Sequence, residues 1–510
     1  MLRQLSSTHW VISLLVCLHL CVTLSLAAKL NLWGDEISAL NTTGRDLYYA
    51  INHSISYQIQ PPTYFVLLHL WRNLNDSIFF ARLFSVICAA LTIYVIAELS
   101  KRFVRGIHPG WVTACICLNP FLIWAAIELK VPALFMLLSA LLFLLFHDGY
   151  LTEDPQSWIR WLYTLVAIIG LYTQYFIGFI LVANAVVLLC LKRWKQLRDY
   201  LISMVIVSIS FAPVLLFVFP AKLAALQSFR AEGAVLEKSL SHTLKTVYAG
   251  TLRYVLPAQG PSEGLFDVWR RIRYLAVAFL AFIIIRYHRL ITKQQIVIWL
   301  TVLVLTCIFI TVGLRTGLIF EHYLSPLFPI ATVAVFSALA LIRGSLGRKV
   351  IVGWTVITVL ASFISLVNQY TPMAKQGDWI RVSSYIAAAE RLGQPIVLYT
   401  PEVEDIMKYY YRGSNRFIPL PQKENYEVYD WDKLVLDDEQ EIADAIARQN
   451  GNSQQLWLVV DRVLCTVPFY QKSCQTLDGF ANKYYTIEQA QTFYGSSVQL
   501  LRPKSDFQQR

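Results

Sequence analysis

The sequence predicts a polytopic α-helical membrane protein that ends in a small α/β domain, and hydropathy, the spacing of apolar runs and the placement of basic residues together carry that prediction. Of 510 residues, 56% are hydrophobic and only 15% charged, and the mean hydropathy is +0.49, outside the range of ordinary globular domains. Apolar runs of roughly 17–22 residues, each able to cross about 30 Å of hydrocarbon as a helix, recur from residue 11 to about residue 366. The first run, VISLLVCLHLCVTLSLAA, has the composition of a signal peptide. Cleavage would fall just before the most informative loop, so it is read as helix one.

A net charge of +11 could indicate a nucleic-acid partner, but the basic residues gather in short turns between apolar runs, which points to a membrane instead. The turns hold Lys101, Arg102 and Arg105; Lys192, Arg193, Lys195 and Arg198; Arg286, Arg289 and Lys293; and Arg343, Arg348 and Lys349. Placing them in the cytoplasm gives about eleven helices in a module over residues 1–367, with the N-terminus inside and residues 368–510 outside as a soluble extracytoplasmic domain. The expected location is the plasma membrane, crossed several times. One turn dissents: HDGYLTEDPQ, after Phe146, should be inside but is mildly acidic.

Four segments interrupt the helices on the expected outer side. Residues 29–76 include PPTYFVLLHLW, patterned as an amphipathic surface helix. A tight break follows at 128–131, a second loop spans about 221–269, and the C-terminal domain is the fourth. In that domain PIVLYT and LWLVVD read as strands, WIRVSSYIAAAERL and EIADAIARQ as helices, and Thr400 with Pro401 as a helix start. Seven of the nine cysteines lie in or beside apolar runs; Cys465 and Cys474 lie in the outer domain, either as a disulfide or as two thiols.

Chemistry-bearing residues cluster at the same expected face. Asp35 and Glu36, just past helix one, are not needed for spanning; a carboxylate there either caps a helix in solvent or takes a proton from a hydroxyl. Glu128 and Lys130 flank the tight break, as a local ion pair or with the lysine holding a phosphate. LYTQYF, with Tyr172 and Gln174, divides a long apolar stretch and offers donors at the rim, or forms an aromatic belt. Arg315, Glu321, His322 and Tyr323 bracket the start of a late helix, where cations either clamp an anionic headgroup or snorkel. A single topology places all four clusters on one side. Asp430-Trp431-Asp432 has a metal-binding spacing but reads better as a surface loop, and the nine histidines show no metal-ligand spacing.

These motifs resemble the membrane glycosyltransferases of the C fold, the protein-mannosyltransferase and aminoarabinose-transferase-like group (glycosyltransferase family 39). The resemblance covers nearly the whole chain. It rests on Asp35-Glu36, on Gln60-Pro61-Pro62-Thr63-Tyr64, on Arg82, on Glu128 with Lys130, on LYTQYF, on His322-Tyr323, and on Lys375, Asp378 and Trp379. Gln60, Lys130, Gln174 and His322 depart from the family's His, Arg, His and Arg, softening donors while the acidic pair is kept.

The resemblance implies a polyprenyl-phosphate sugar as donor, a lipid, glycan or protein acceptor, and an inverting single displacement. Asp35 would deprotonate the acceptor hydroxyl, Glu36 would orient it, and Lys130 with Arg315 or His322 would hold the departing phosphate; Glu128, Tyr172, Gln174, Tyr323 and Arg82 would support them. No cofactor is assigned, and a divalent metal is left open. A lipid or glycan transporter and an inactive scaffold are the rival readings. A transporter would carry ionisable residues at mid-span, whereas here they sit at span ends.

Overall fold

The computed structural model describes the chain except Met1, Asp154 and residues 219–238, 258–262, 318–320, 424–425, 427–433, 451–453 and 505–510. Much of the expected loop at 221–269, the Asp430-Trp431-Asp432 motif and the Glu321 side chain lie outside the described residues. Two compact units result: Met1–Ala28 with Gln60–Gln369, and Lys29–Ile59 with Tyr370–Arg510.

In chain order, α1 (Leu2–Lys29) is followed by α2 (Gly34–Thr42) and α3 (Leu47–Ser56), which belong to the second unit. The first unit resumes with α4 (Thr63–Arg72), α5 (Ile78–Phe103), α6 (Pro109–Cys117), α7 (Pro120–Ala126), α8 (Pro132–Phe146), α9 (Ser157–Leu171), α10 (Ile177–Cys190) and α11 (Trp194–Pro213). It continues with α12 (Leu240–Val255), α13 (Glu263–Arg286), α14 (Lys293–Thr316), α15 (Leu327–Leu339) and α16 (Gly344–Gln369). Six helices among the described residues are long and apolar enough to cross a membrane, or seven if α6 and α7, bent by 65°, form one broken span. The bend falls where Asn119 turns extended and caps Phe121, because Pro120 cannot donate to a continuing helix.

The burial pattern is that of a membrane bundle. α8 and α15 are apolar all round and almost wholly buried, as central helices must be. Peripheral helices show the reverse: Leu201, Val205 and Ile209 on α11, and Val356, Leu360, Phe363 and Val367 on α16, form exposed apolar stripes at helical spacing. Such stripes are stable facing lipid and costly facing water. The chain is a polytopic membrane protein.

The basic turns meet at one end of this unit. Arg102 donates to both oxygens of Asp148 at 2.7–3.0 Å, Arg193 donates to the Leu151 carbonyl at 2.6 Å, and Arg160 to Asp199 at 2.7 Å. Thr8, near the start of α1, lies 2.9 Å from His108 Nε2. Asp148, in the acidic turn that dissented from the charge pattern, is thus neutralised by the basic turn it meets.

In the second unit, α17 (Trp379–Ala389), α18 (Glu402–Tyr410), α19 (Glu439–Asn450) and α20 (Pro468–Tyr484) accompany a five-stranded sheet. Its strands are β1 (Ile396–Tyr399), β2 (Phe417–Pro419), β3 (Leu456–Asp461), β4 (Tyr485–Phe493) and β5 (Ser496–Pro503), in the order β2-β1-β3-β5-β4. β1 pairs parallel with β2 and β3, and the β4–β5 hairpin adds antiparallel to β3. Val397, Ile418, Leu458, Val460, Leu477 and Phe480 fill the core. Cys465 and Cys474 are disulfide-bonded, with Cα atoms 5.8 Å apart.

Candidate active site

In the second unit the acidic pair opens α2. Trp33 is extended at the N-cap, and Asp35 and Glu36 occupy the first turn, where carboxylates meet the positive end of the helix dipole. Their environments differ sharply. Glu36 is completely buried and bonded to Lys375 Nζ at 2.9 Å, and Lys375 is itself only 6% exposed. Asp35 is half-buried.

Lys375 is held by a reciprocal clasp: its N–H donates to Asn31 Oδ1 at 3.0 Å, and Asn31 Nδ2 donates to its carbonyl at 2.8 Å. The Leu32 N–H donates to the Tyr410 hydroxyl at 2.8 Å, fixing the approach to α2. Just beyond, Gly377 has φ +109°, and a Cβ there would come within 2.6 Å of the buried Trp379 ring. Gly377→Ala is therefore expected to cost about 1–3 kcal/mol, seen as a lower thermal unfolding midpoint together with reduced turnover, because the turn that aims Lys375 shifts.

In the first unit the other sequence-selected residues gather at the end opposite the basic turns. Arg82 is buried and donates to the Ala27 carbonyl at 2.9 Å, and Ser85 donates to the Glu128 carbonyl at 2.7 Å. The buried Glu128 and half-buried Lys130 sit between α7 and α8. The Tyr172 carbonyl accepts from the Thr63 N–H at 3.0 Å, and its hydroxyl donates to the Ser210 carbonyl at 2.8 Å. Gln174 turns inward on its own loop, its Oε1 accepting from the Tyr175 N–H at 3.0 Å. The Tyr323 ring lies 4.9 Å from Phe176 and 4.3 Å from His322.

His322 lines a cavity of about 260 Å³ walled by Phe121, Trp124 and Tyr254, with Arg253 and Gln369 at its polar side. Burial, with the Lys130 ammonium adding to it, pushes the His322 pKa down to about 3. The ring is therefore a neutral donor or acceptor at pH 7. Between pH 6.5 and 3 the unfolded chain binds a proton that the folded one does not, so stability rises with pH across that window. Wild type should lose about 1.4 kcal/mol per pH unit below 6.5 relative to His322→Gln, read from unfolding midpoints at pH 6.5 and 5. Arg315, by contrast, is exposed at the end of α14 and does not line this cavity.

Sequence reasoning missed two residues. Arg253 lies in the last turn of α12, inside what read as a loop; the amphipathic spacing of 240–255 was the available signal. Glu402 packs its carboxylate against Gly34, and nothing local in the sequence joins residues so far apart. Among the described residues no three His, Cys, Asp or Glu side chains gather as a metal site.

Over 97% of its length the chain superposes on ArnT from Cupriavidus metallidurans in the apo state, covering 98% of that chain, with a TM-score of 0.57 and 13% identity. The fold is shared with ArnT. The same holds for ArnT bound to undecaprenyl phosphate, at a TM-score of 0.56 and 12% identity, with 97% of this chain and 98% of that one covered. No family model and no curated protein matches the sequence. At such identity the likeness to ArnT is one of fold alone.

Proposed function

We propose that the protein is an integral membrane glycosyltransferase that moves a sugar from a polyprenyl-phosphate donor to an acceptor hydroxyl with inversion. The observation that carries this reading is the unequal treatment of two adjacent carboxylates: Glu36 is buried on Lys375, while Asp35, beside it, is half-buried. A neighbouring pair whose environments differ is how one site assigns separate tasks to chemically similar groups. Glu36 orients, and Asp35 accepts the proton.

In the proposed step the acceptor oxygen attacks the anomeric carbon, its proton passes to Asp35, and the bond from that carbon to the phosphate oxygen breaks. Polyprenyl phosphate leaves with the electron pair as a stable anion, so no acid is needed on the leaving group. Lys130 supplies charge for that phosphate, with Arg253 added to the residues first selected, and neutral His322 contributes an N–H. The ArnT structure with undecaprenyl phosphate supports a lipid phosphate as the anion.

The topology proposed with this chemistry has eleven spans: the six long helices, the bent pair, the shorter apolar helices α9, α10 and α15, and α13. The N-terminus lies in the cytoplasm of a plasma-membrane protein, with residues 368–510 outside, a placement that the disulfide in that domain favours. Hexosyl and pentosyl donors both suit this chemistry, as do lipid, glycan and protein acceptors. Following the anomeric NMR signals of an isotopically labelled donor and its product tests the reading: an inverted configuration is expected, and retention would overturn single displacement.

A further inference from the structure

We propose that a second cavity, at the basic end of the helical unit, binds the phosphate headgroup of an anionic phospholipid. The cavity has a volume of about 1060 Å³ and is built from three separate turns, those at residues 103–111, 290–295 and 340–351. Arg105, Arg343, Arg348 and Lys349 line it, and no Asp or Glu does.

The local acids are already engaged. Glu98 pairs with Lys101 and Arg102, and Asp148 with Arg102. None of the four lining cations forms an ion pair among the described residues. Four like charges around one cavity repel, and a bound phosphate relieves that repulsion while accepting charge-assisted hydrogen bonds. The turn that carries Arg343, Arg348 and Lys349 also needs glycine at two lining positions. Gly344 has φ +77°, and Gly347 lies so near the Ile342 carbonyl that a Cβ would stand 2.0 Å from its oxygen.

The location favours a lipid over a free anion. Trp111 and Leu290 are exposed and line the same cavity, giving it an apolar wall beside its cations. Trp10, Trp158 and Trp194 are exposed around this end of the bundle, as tryptophans are at the headgroup level of a bilayer. Cations and apolar surface at that depth match a phosphodiester on acyl chains.

Native mass spectrometry of the full-length protein, titrated in detergent with short-chain phosphatidylglycerol, phosphatidylcholine or inorganic phosphate, tests the proposal. Phosphatidylglycerol should be retained preferentially. Arg343→Gln and Lys349→Gln should each weaken it about fivefold, and Arg343→Gln with Arg348→Gln roughly thirtyfold. Lys195→Gln with Arg198→Gln, in a basic turn outside the cavity, should leave binding unchanged. Unfolding midpoints in phosphatidylcholine establish that the variants fold, and the single variants carry the test if the double one does not. Equal retention of the two lipids, equal weakening by the control pair, or displacement of phosphatidylglycerol by inorganic phosphate at matched concentration would each overturn the assignment.

Discussion

Asp35→Asn is expected to lower turnover at least about a hundredfold while leaving the affinity for the lipid donor within a few-fold, because it removes the proton acceptor. The substitution preserves size and shape at a half-buried position in the first turn of α2. An amide cannot take the hydroxyl proton at neutral pH. A loss confined to kcat would mark Asp35 as acting in the transition state; an equal loss in donor affinity would make it a binding residue instead.

The second large effect is expected at Lys375. Glu36 and Lys375 are 0% and 6% exposed, so replacing the lysine by methionine takes the paired cation from a buried carboxylate. Breaking such a pair costs about 3–5 kcal/mol, far more than the pair contributes relative to neutral replacements. Lys375→Met should therefore show a markedly lower unfolding midpoint and weak expression. Glu36→Gln combined with Lys375→Met should recover most of the stability, but not turnover, because Asp35 loses its oriented neighbour. If the double variant is no more stable than Lys375→Met, the two groups are not coupled and the buried pair is not what holds this turn.

The parts of this fold that are written locally were legible in the sequence. Hydropathy marked the long helices, and the strands beginning at Ile396 and Leu456 stood out as short apolar runs. The acidic pair announced itself as charge with no reason to lie at a span end. Non-local features were hidden. The β4–β5 hairpin is mostly exposed along β4, so its sequence lacks the apolar run that revealed the other strands. Nothing near Asp35 in sequence indicates that Glu36 would be neutralised by a lysine more than three hundred residues away.

The charged residues at helix breaks and span ends show the same division. Glu128 and Lys130 were visible because charge at a helix break is costly at membrane depth. Arg315 was selected on similar grounds yet lies exposed, since a span-end arginine looks alike in sequence whether it faces a site or solvent. Arg253 was overlooked because its amphipathic helix is too polar for a span and lies between two spans, so that it reads as a loop until its buried face is seen packed.

The central claim is transfer from a lipid-linked sugar, and the most direct measurement is release of polyprenyl phosphate when purified wild-type protein is incubated with a panel of polyprenyl-phosphate sugars and candidate acceptors. At least one donor should be consumed, with the sugar recovered on an acceptor hydroxyl and the release lost in Asp35→Asn. Tight binding of labelled donor lipid with no donor consumed across the panel would contradict the account and favour a transporter or an inactive scaffold.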